Sequence, residues 1–495
     1  MPAPRLRRRD FLKALGVAGL LPRAAWTLPK SQRGELVNDV HSQLNSTRVS
    51  RVVRVDSVEL LQSTIATARR EGKKLSIAGG RHSMGGQQFG TDTILLDMRG
   101  MNRVLRFDAQ AGAIEAEAGI MWPALIDFYL KAQQGSANQW GIAHKQTGAD
   151  RFTLGGSLAA NAHGRGLTLA PLVTDVESFT LLDARGDFHR CSRTSNAELF
   201  RLVIGGYGLF GVMTSVVLRL KPRRKLSRLV EIILVEELMP AFEQRIRDGF
   251  LYGDFQFATD ESSEDFLRRG VFSCYRPSRP DATIPDAQKE LVEDDWRNLL
   301  YLAHADKRKA FDTYARYYLS TNGQIYWSDT HQLAIYPDGY HRWVDARTRS
   351  SVRSTEMITE IYVPRPDLGR FLAEVRKDFR DNRVNLIYGT IRLIERDTDT
   401  FMPWARESWA CVVFNLHVPH TRDGMAHSSG AFRRLIDLGI AHGGSYFLTY
   451  HCWADRRQLL ACYPQFPEFL RLKRYYDPKE LFWSDWYAHY KRMFA

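Results

Sequence analysis

The sequence predicts an α+β protein built in two parts, and three observations predict it. Short strands alternate with amphipathic helices up to about Pro222, the pattern of a β-α-β layer. From Arg223 onward, long alternating strands dominate, with helices between them. Two segments, 78–86 and 153–166, are dense in glycine and small residues, as where a backbone approaches a ligand closely. At 495 residues, the chain is long enough for two substantial cores.

The elements follow in order. Ser31 to Ser50 is polar and poorly periodic, and reads as a connecting segment. Arg51–Val55 reads as a strand. Ser57 to Glu71 reads as a helix, with Leu60, Leu61, Ile65 and Ala66 at helical spacing behind a serine start. Strand Lys74–Ala78 runs into Gly79-Gly80-Arg81-His82-Ser83-Met84-Gly85-Gly86, and strand Thr93–Asp97 follows. Val104–Phe107 and Ala113–Ala116 alternate like a hairpin, and Trp122 to Gln133 is helical again. Asp175 to Leu182 is a strand closed by the turn Ala184-Arg185-Gly186-Asp187, and the tight passage Gly205 to Val212 leads into strand Met213–Leu220. In the second part, strands are expected at Arg228–Val235, Gln324–Ser328, Glu356–Val363, Asn385–Ile394 and Ala410–Val418. Helices Met239–Asp248 and Pro366–Asp378 lie between them. This pattern predicts an antiparallel sheet with helices on one face.

Alternation assigns the faces of two of these strands. Ile387, Gly389, Ile391 and Leu393 share one side, and Tyr388, Thr390 and Arg392 the other. Val412, Phe414, Leu416 and Val418 form an apolar side opposite Asn415 and His417. One face therefore packs on helices while the other carries hydrogen-bonding groups.

Lys and Arg exceed Asp and Glu by 13, but the first 25 residues alone account for +5, leaving +8 for the rest. The remaining basic residues are dispersed, which argues against a nucleic-acid groove. Arg8-Arg9-Asp10-Phe11-Leu12-Lys13 precedes the eight-residue apolar run Ala14 to Leu21 and the small pair Ala24-Ala25. This is the layout of an export signal at 1–25, and it resembles a twin-arginine signal. The run is too short to cross a bilayer core that needs about 20 residues. The expected location is the periplasm or the outside, with no integral membrane segment in the mature chain. The five cysteines cannot all pair, and their spacing offers no zinc or iron–sulfur site. A bridge among Cys411, Cys452 and Cys462 is permitted but not required.

Three motifs carry the chemistry. Ala78-Gly79-Gly80-Arg81-His82-Ser83 puts a nucleophilic imidazole inside a glycine loop. Thr153 to Gly166 contains Gly155-Gly156-Ser157 and Ala162-His163-Gly164. Gly208 to Val212 contains Gly208, Gly211 and Val212. In this order the three resemble the flavin domain of the vanillyl-alcohol oxidase (p-cresol methylhydroxylase-type, or PCMH-type) family. They are nearest to sugar, aldonolactone and alditol oxidases, with cytokinin dehydrogenases also near. The resemblance implies a two-subdomain FAD-binding (PCMH-type) domain at 46–222 and an antiparallel-sheet cap domain at 223–455 that supplies the substrate pocket. Tyr476-Asp477-Pro478-Lys479-Glu480-Leu481-Phe482 is similar to the family's C-terminal Asp-Pro-x-x-x-Phe, which implies that 456–495 returns to the FAD domain. It further implies FAD held covalently through His82. The cysteine that gives some relatives a second attachment is absent from 141–153. His163 is read as a structural hydrogen-bonding residue beside the cofactor.

The resemblance also frames the catalytic expectations. Arg392 is similar to the arginine of the relatives' Glu-x-Arg strand, which stabilises anionic reduced flavin, but Thr390 stands where their glutamate would. Tyr450 stands roughly where a lysine is expected. The expected reaction oxidises a CH–OH group of a sugar-like, polyol or lactone substrate by hydride transfer to flavin N5 while a base takes the hydroxyl proton. His417 is the first choice for that base, with Tyr450 or His451 behind it. Asp150 would serve only an amine substrate. Alternatives are C–N oxidation of the cytokinin-dehydrogenase type and a non-catalytic flavin-binding protein. The electron acceptor is expected to be oxygen, a quinone or a cytochrome. Ala162, in the position that hinders oxygen in aldonolactone relatives, tips the balance toward a dehydrogenase.

Overall fold

The computed structural model describes residues 34–495, so the paired-arginine leader at 1–25 lies outside the described residues. Arg51–Arg54 and Leu75–Ala78 flank Ile94–Asp97 in a parallel three-stranded sheet. Helix Val58–Glu71 makes the crossover. The Ser57 hydroxyl accepts from Leu60 N at 3.4 Å, and Gly72, at φ 63°, ends the helix in the left-handed conformation. Its Leu61, Ile65 and Ala68 pack with Ile94, Leu96 and Phe482. An antiparallel five-stranded sheet follows, in the order Phe188–Ser192, Val176–Leu182, Val212–Arg219, Ala113–Glu117, Val104–Asp108.

Residues 35–49 are more than a connector. Glu35–Val37 and Thr47–Val49 pair as an antiparallel ribbon. The Asp39 carboxylate ties the loop between them, accepting from Ser42 N at 2.6 Å, Gln43 N at 3.1 Å and Asn45 Nδ2 at 2.9 Å. Strands of three residues leave too little periodicity to read from sequence. This loop carries His41.

The second part is built on an antiparallel eight-stranded sheet. Its order is Ile325–Trp327, Lys225–Leu234, Arg269–Pro277, Tyr252–Phe257, Leu386–Ile394, Trp409–Pro419, Ser354–Pro364, Ser445–Tyr446. The chain is thus a mixed helix-and-sheet protein with one large antiparallel sheet. The apolar side of Trp409–Pro419 meets helix Leu368–Asp381: the Phe414 ring lies 6.4 Å from Phe371 and 5.6 Å from Phe379.

Three expectations need correction. Helices lie on both faces, not one: Tyr314 and Ala315 of helix Lys307–Ser320 pack with Val230 and Val271 on the polar side. The stretch between strands Arg269–Pro277 and Ser354–Pro364 reads in sequence only as a strand at Gln324–Ser328, yet it supplies helices Glu293–Ala305, Lys307–Ser320 and Tyr340–Thr348. Ile387 leaves the apolar face. The register shifts between Leu386 and Tyr388, and this bulge turns Ile387 toward a cavity over the polar face.

The C-terminal segment closes on the first sheet. Leu75 N donates to the Leu481 carbonyl and Trp483 N to the Leu75 carbonyl, both at 2.7 Å, so residues 481–483 run along the free edge of strand Leu75–Ala78. Asp477 fixes that turn by accepting from Leu481 N and Phe482 N at 2.9 Å and from buried Lys473 Nζ at 2.5 Å. All five cysteines are free thiols. Among the described residues, no helix is long and apolar enough to cross a membrane.

Candidate active site

The three glycine-rich segments converge on one cleft. A side chain at Gly79 would put its Cβ 2.0 Å from Thr153 Oγ1, and one at Gly80 would meet the Arg151 carbonyl oxygen at 2.1 Å. The first segment therefore lies directly on the start of the second, against the Thr153 side chain and the Arg151 backbone just before it, with no room for a Cβ at either glycine. The cleft is lined by Gly79, Gly80, Arg81, His82 and Ser83 from the first segment. Gly155 and Gly156 come from the second, and Gly208, Gly211 and Val212 from the third. Ala78, the last residue of its strand, and Gly164 stand outside the lining. Gly164 is needed instead for close packing, since a Cβ there would fall 2.7 Å from the Lys145 carbonyl oxygen.

This cleft adjoins a larger cavity of about 860 Å³. His82 and Ser83 line both, so His82 stands at the junction. Its ring stacks on Phe152 at 4.2 Å, and its Nδ1 lies 2.9 Å from His41 Nε2. Burial depresses the His82 pKa to about 3, helped by neighbouring His41, and burial depresses that of His41 to about 4. Both rings are neutral at pH 7, so His82 keeps a nucleophilic nitrogen.

The pair also predicts acid sensitivity. Below their ordinary pKa of 6.5 the unfolded chain takes up protons that the folded rings refuse until about pH 4 and 3. The stability present above pH 6.5 is therefore lost as pH falls through that window. The expected result is a Tm that drops between pH 6.5 and 4, with a smaller drop in His41→Gln. An equal drop in both proteins would discount the pair.

Ser157, Ala162 and His163 of the second segment reach the larger cavity, as do Arg392 and Tyr450 from the second part. The cavity also holds Glu360, which motif reading missed. The side-chain oxygens of Glu360 accept from Tyr450 OH at 2.6 Å on Oε1 and, on Oε2, from Tyr362 OH at 2.7 Å, His163 Nε2 at 2.8 Å and the Cys411 thiol at 3.8 Å. Burial pushes the Glu360 carboxyl up, but His163, Tyr450 and Tyr362 outweigh it and hold the pKa at about 2. Glu360 is a carboxylate at neutral pH. Burial and that carboxylate push the Tyr450 phenol well above its ordinary range, so Tyr450 is the proton donor of the pair. Register explains how the cavity acquires an acid although Thr390 replaces one. Thr390 pairs with Val413, and Val413 with Glu360, so all three side chains face the same way across adjacent strands. Thr390 itself donates to the Phe255 carbonyl at 3.1 Å.

Arg392 projects from the same face, and its Nε has no hydrogen-bond partner. Burial disfavours its charge, but Tyr388, Asp254, Cys411 and Glu360 together raise its pKa. It is a buried cation facing the cavity.

His417 does not line the cavity. It shares the face of Asn415, which does, but two residues along a strand is about 7 Å. At that point helix Glu293–Ala305 covers the sheet, and His304 Nε2 reaches Glu356 Oε1 at 2.7 Å, with His417 Nδ1 at 3.5 Å from the same oxygen. His451 is buried among Phe432, Tyr446 and Trp453, with Nε2 3.3 Å from Thr359 Oγ1. Asp150 lines the cavity but is engaged: it pairs with buried Lys145 at 2.7 Å and accepts from Ala334 N. Ser157 is engaged too, its hydroxyl donating to Gln146 Oε1 at 2.9 Å.

The cleft fits a large polar ligand. Arg81 Nε, Gln87 Oε1 and Gln88 Oε1 on its walls are buried without partners, and such atoms are costly unless a ligand satisfies them. Residues 49–192, which carry the first two glycine segments, match the family model described as FAD binding domain. The chain thus carries an FAD-binding domain of the PCMH type, and FAD is its cofactor. Among known proteins it is similar to the L-gulonolactone oxidase of Bos taurus, 30% identical over 207 residues, which are 42% of this chain and 45% of that protein. Across 443 residues, 88% of this chain and 95% of the relative, it is 24% identical to an L-gulono-1,4-lactone dehydrogenase of Mycobacterium tuberculosis. Cytokinin dehydrogenase 9 of Oryza sativa subsp. japonica matches over 162 residues at 27% identity, covering 32% of this chain and 30% of that protein. The match spans less than half the length of the bovine relative.

Proposed function

We propose that this protein is an FAD-dependent oxidoreductase that oxidises a CH–OH group of a sugar-like, polyol or lactone substrate. The observation that carries the reading is the ionised Glu360, bonded to Tyr450 and to His163 of the second glycine segment, with Arg392, whose Nε has no partner, facing the same cavity. Bound FAD supplies the two-electron acceptor. Glu360 and Tyr450 take the hydroxyl proton: the Tyr450 oxygen accepts it while the Tyr450 proton moves to Glu360 Oε1. Arg392 offers a buried positive charge to negative charge that develops nearby. His163 and Tyr362 hold Glu360 in place through its second oxygen. The cytokinin-dehydrogenase-like reading is weaker, because Asp150, its candidate base, is occupied by Lys145 and Ala334.

The test is anaerobic mixing with a panel of polyols, sugars, lactones and secondary amines while the flavin absorbance is followed. Bleaching by a hydroxyl donor supports the reading; bleaching only by amines, or by none, overturns it.

Within the same reading, His82 carries FAD covalently. The proposal rests on a neutral, buried imidazole at the junction of cleft and cavity. Acid-precipitated protein is expected to keep its yellow colour and to fluoresce in a denaturing gel, and His82→Ala to release the flavin to the supernatant. Free FAD from the wild type under these conditions would sink covalency while leaving the FAD site intact.

The chain is proposed to be exported through the Arg8-Arg9 leader. Ala162, which lines the cavity beside His163, is proposed to favour a quinone or cytochrome over oxygen as acceptor.

A further inference from the structure

The cavity is much larger than hydroxyl oxidation of a small lactone requires. Its volume of about 860 Å³ falls in the upper part of the range that holds drug-sized ligands, roughly 300–1,000 Å³. The end beside His82, Gly156, Ala162 and His163 adjoins the glycine-lined cleft and would receive the flavin ring. The remainder runs over the polar face of the sheet and under helices Glu293–Ala305 and Lys307–Ser320.

The two ends differ in chemistry. At the end beside the glycine-lined cleft, Arg392 Nε and Gln146 Nε2 are buried without partners, and Glu360 is ionised. At the other end, helix Glu293–Ala305 contributes Trp296 and Leu299, and helix Lys307–Ser320 contributes Phe311, Tyr314 and Tyr318. Tyr314 and Tyr318 stack at 4.2 Å. The chamber also holds charged groups, which pair or brace its walls: Arg165 Nη1 lies 3.6 Å from Asp254 Oδ1. The Arg228 guanidinium lies 4.6 Å from the Tyr326 ring and 5.0 Å from those of Tyr275 and Tyr318. Its Nε donates to Tyr275 OH at 2.9 Å and its Nη1 to Thr321 Oγ1 at 2.8 Å. Arg228 therefore props the aromatic walls, with both Nε and Nη1 bonded to them or to Thr321. Beside these polar groups, helices Glu293–Ala305 and Lys307–Ser320 present mainly ring and aliphatic surface to a ligand.

We propose that the substrate is amphipathic, with a hydroxylated end oxidised beside Glu360 and Arg392 and an aromatic or extended apolar portion held by Trp296, Leu299, Phe311, Tyr314 and Tyr318. The proposal rests on the reading of the site as a CH–OH oxidoreductase and names the substrate class of that site. It makes the helical pair a specificity element. Apolar contact remote from the reacting carbon binds ground and transition states alike, so its effect falls on KM more than on kcat.

The experiment compares methyl, hexyl, octyl and phenyl glycosides of one sugar on the flavin-loaded protein, by anaerobic flavin bleaching and by calorimetric binding. The expected result is a KM and a Kd about ten- to a hundredfold lower for the phenyl or octyl compound than for the methyl one, with kcat within a few fold. Leu299→Trp, which fills the chamber, is expected to abolish that gain, so that the phenyl and octyl compounds no longer bind better than the methyl one. Leu299→Ala provides a second, enlarging variant in case the larger ring disturbs folding; it should weaken the octyl compound selectively. Equal KM and Kd across the series overturn the proposal even if every member bleaches the flavin, and the CH–OH reading then stands alone. If none is oxidised, the reading of the reaction fails. Binding then decides the chamber: a phenyl preference lost in Leu299→Trp upholds an apolar subsite, and equal affinities overturn it.

Discussion

Glu360→Gln is expected to lower kcat for the hydroxyl donor by about 100-fold or more, the range typical of general acid–base groups. The substitution preserves shape but removes the charge. It also replaces an acceptor with an amide N–H₂, so one of Tyr450, Tyr362 and His163 must lose its bond. Tyr450 could then no longer pass its proton on. Tyr450→Phe keeps the carboxylate and should cost about tenfold or more on the same grounds. Rapid-mixing measurement of flavin bleaching isolates this step from reoxidation. A Glu360→Gln enzyme with unchanged kcat and a raised KM would move Glu360 from proton transfer to binding.

The second large effect concerns stability. Asp477→Ala is expected to destabilise the protein by about 3 kcal/mol or more, the usual result of removing one partner from a buried ion pair. Lys473 Nζ and the backbone N–H groups of Leu481 and Phe482 would all lose their acceptor. Burial already depresses Lys473 to about 8 with Asp477 beside it, so the unpaired amine would shed its proton near neutral pH and temper the loss. Denaturant unfolding monitored by tryptophan fluorescence measures the change. A shift in free energy below about 0.5 kcal/mol, the size of an ordinary surface substitution, would contradict the role assigned to this turn.

How much of this was legible in sequence depended on distance along the chain. The glycine segments were readable because each is a local run whose job is backbone approach. Arg392 and Tyr450 were found by position within a motif and do reach the cavity. Glu360 was invisible because its meaning lies in partners 90 and 197 positions away, Tyr450 and His163. His41 was missed for a related reason, since its ribbon is too short to announce itself and its partner is 41 positions distant. Alternation correctly put Asn415 and His417 on one face, but it carries no information on where along a strand a cavity ends. The helices Glu293–Ala305 and Lys307–Ser320 escaped because their buried stripes are thin: Leu302 and Ala303 in one, Tyr314 and Ala315 in the other.

The pairing of strand Leu75–Ala78 with residues 481–483 sets an order of events during synthesis. The Lys74 ammonium bonds the Lys479 carbonyl 405 positions later, and the bonds from Leu75 to Leu481 and Trp483 span a similar stretch. At roughly 5–20 residues per second, the strand that feeds the His82 loop waits about 20–80 seconds for the piece that covers its edge. Until then that edge is an open template for wrong partners. The edge of the strand that feeds the His82 loop is therefore covered only once residues 481–483 have been made, which predicts that stable cofactor loading waits for them. A nascent chain stalled before residue 480 should stay colourless, and a carrier that accepts only finished protein would have a natural checkpoint in this closing turn.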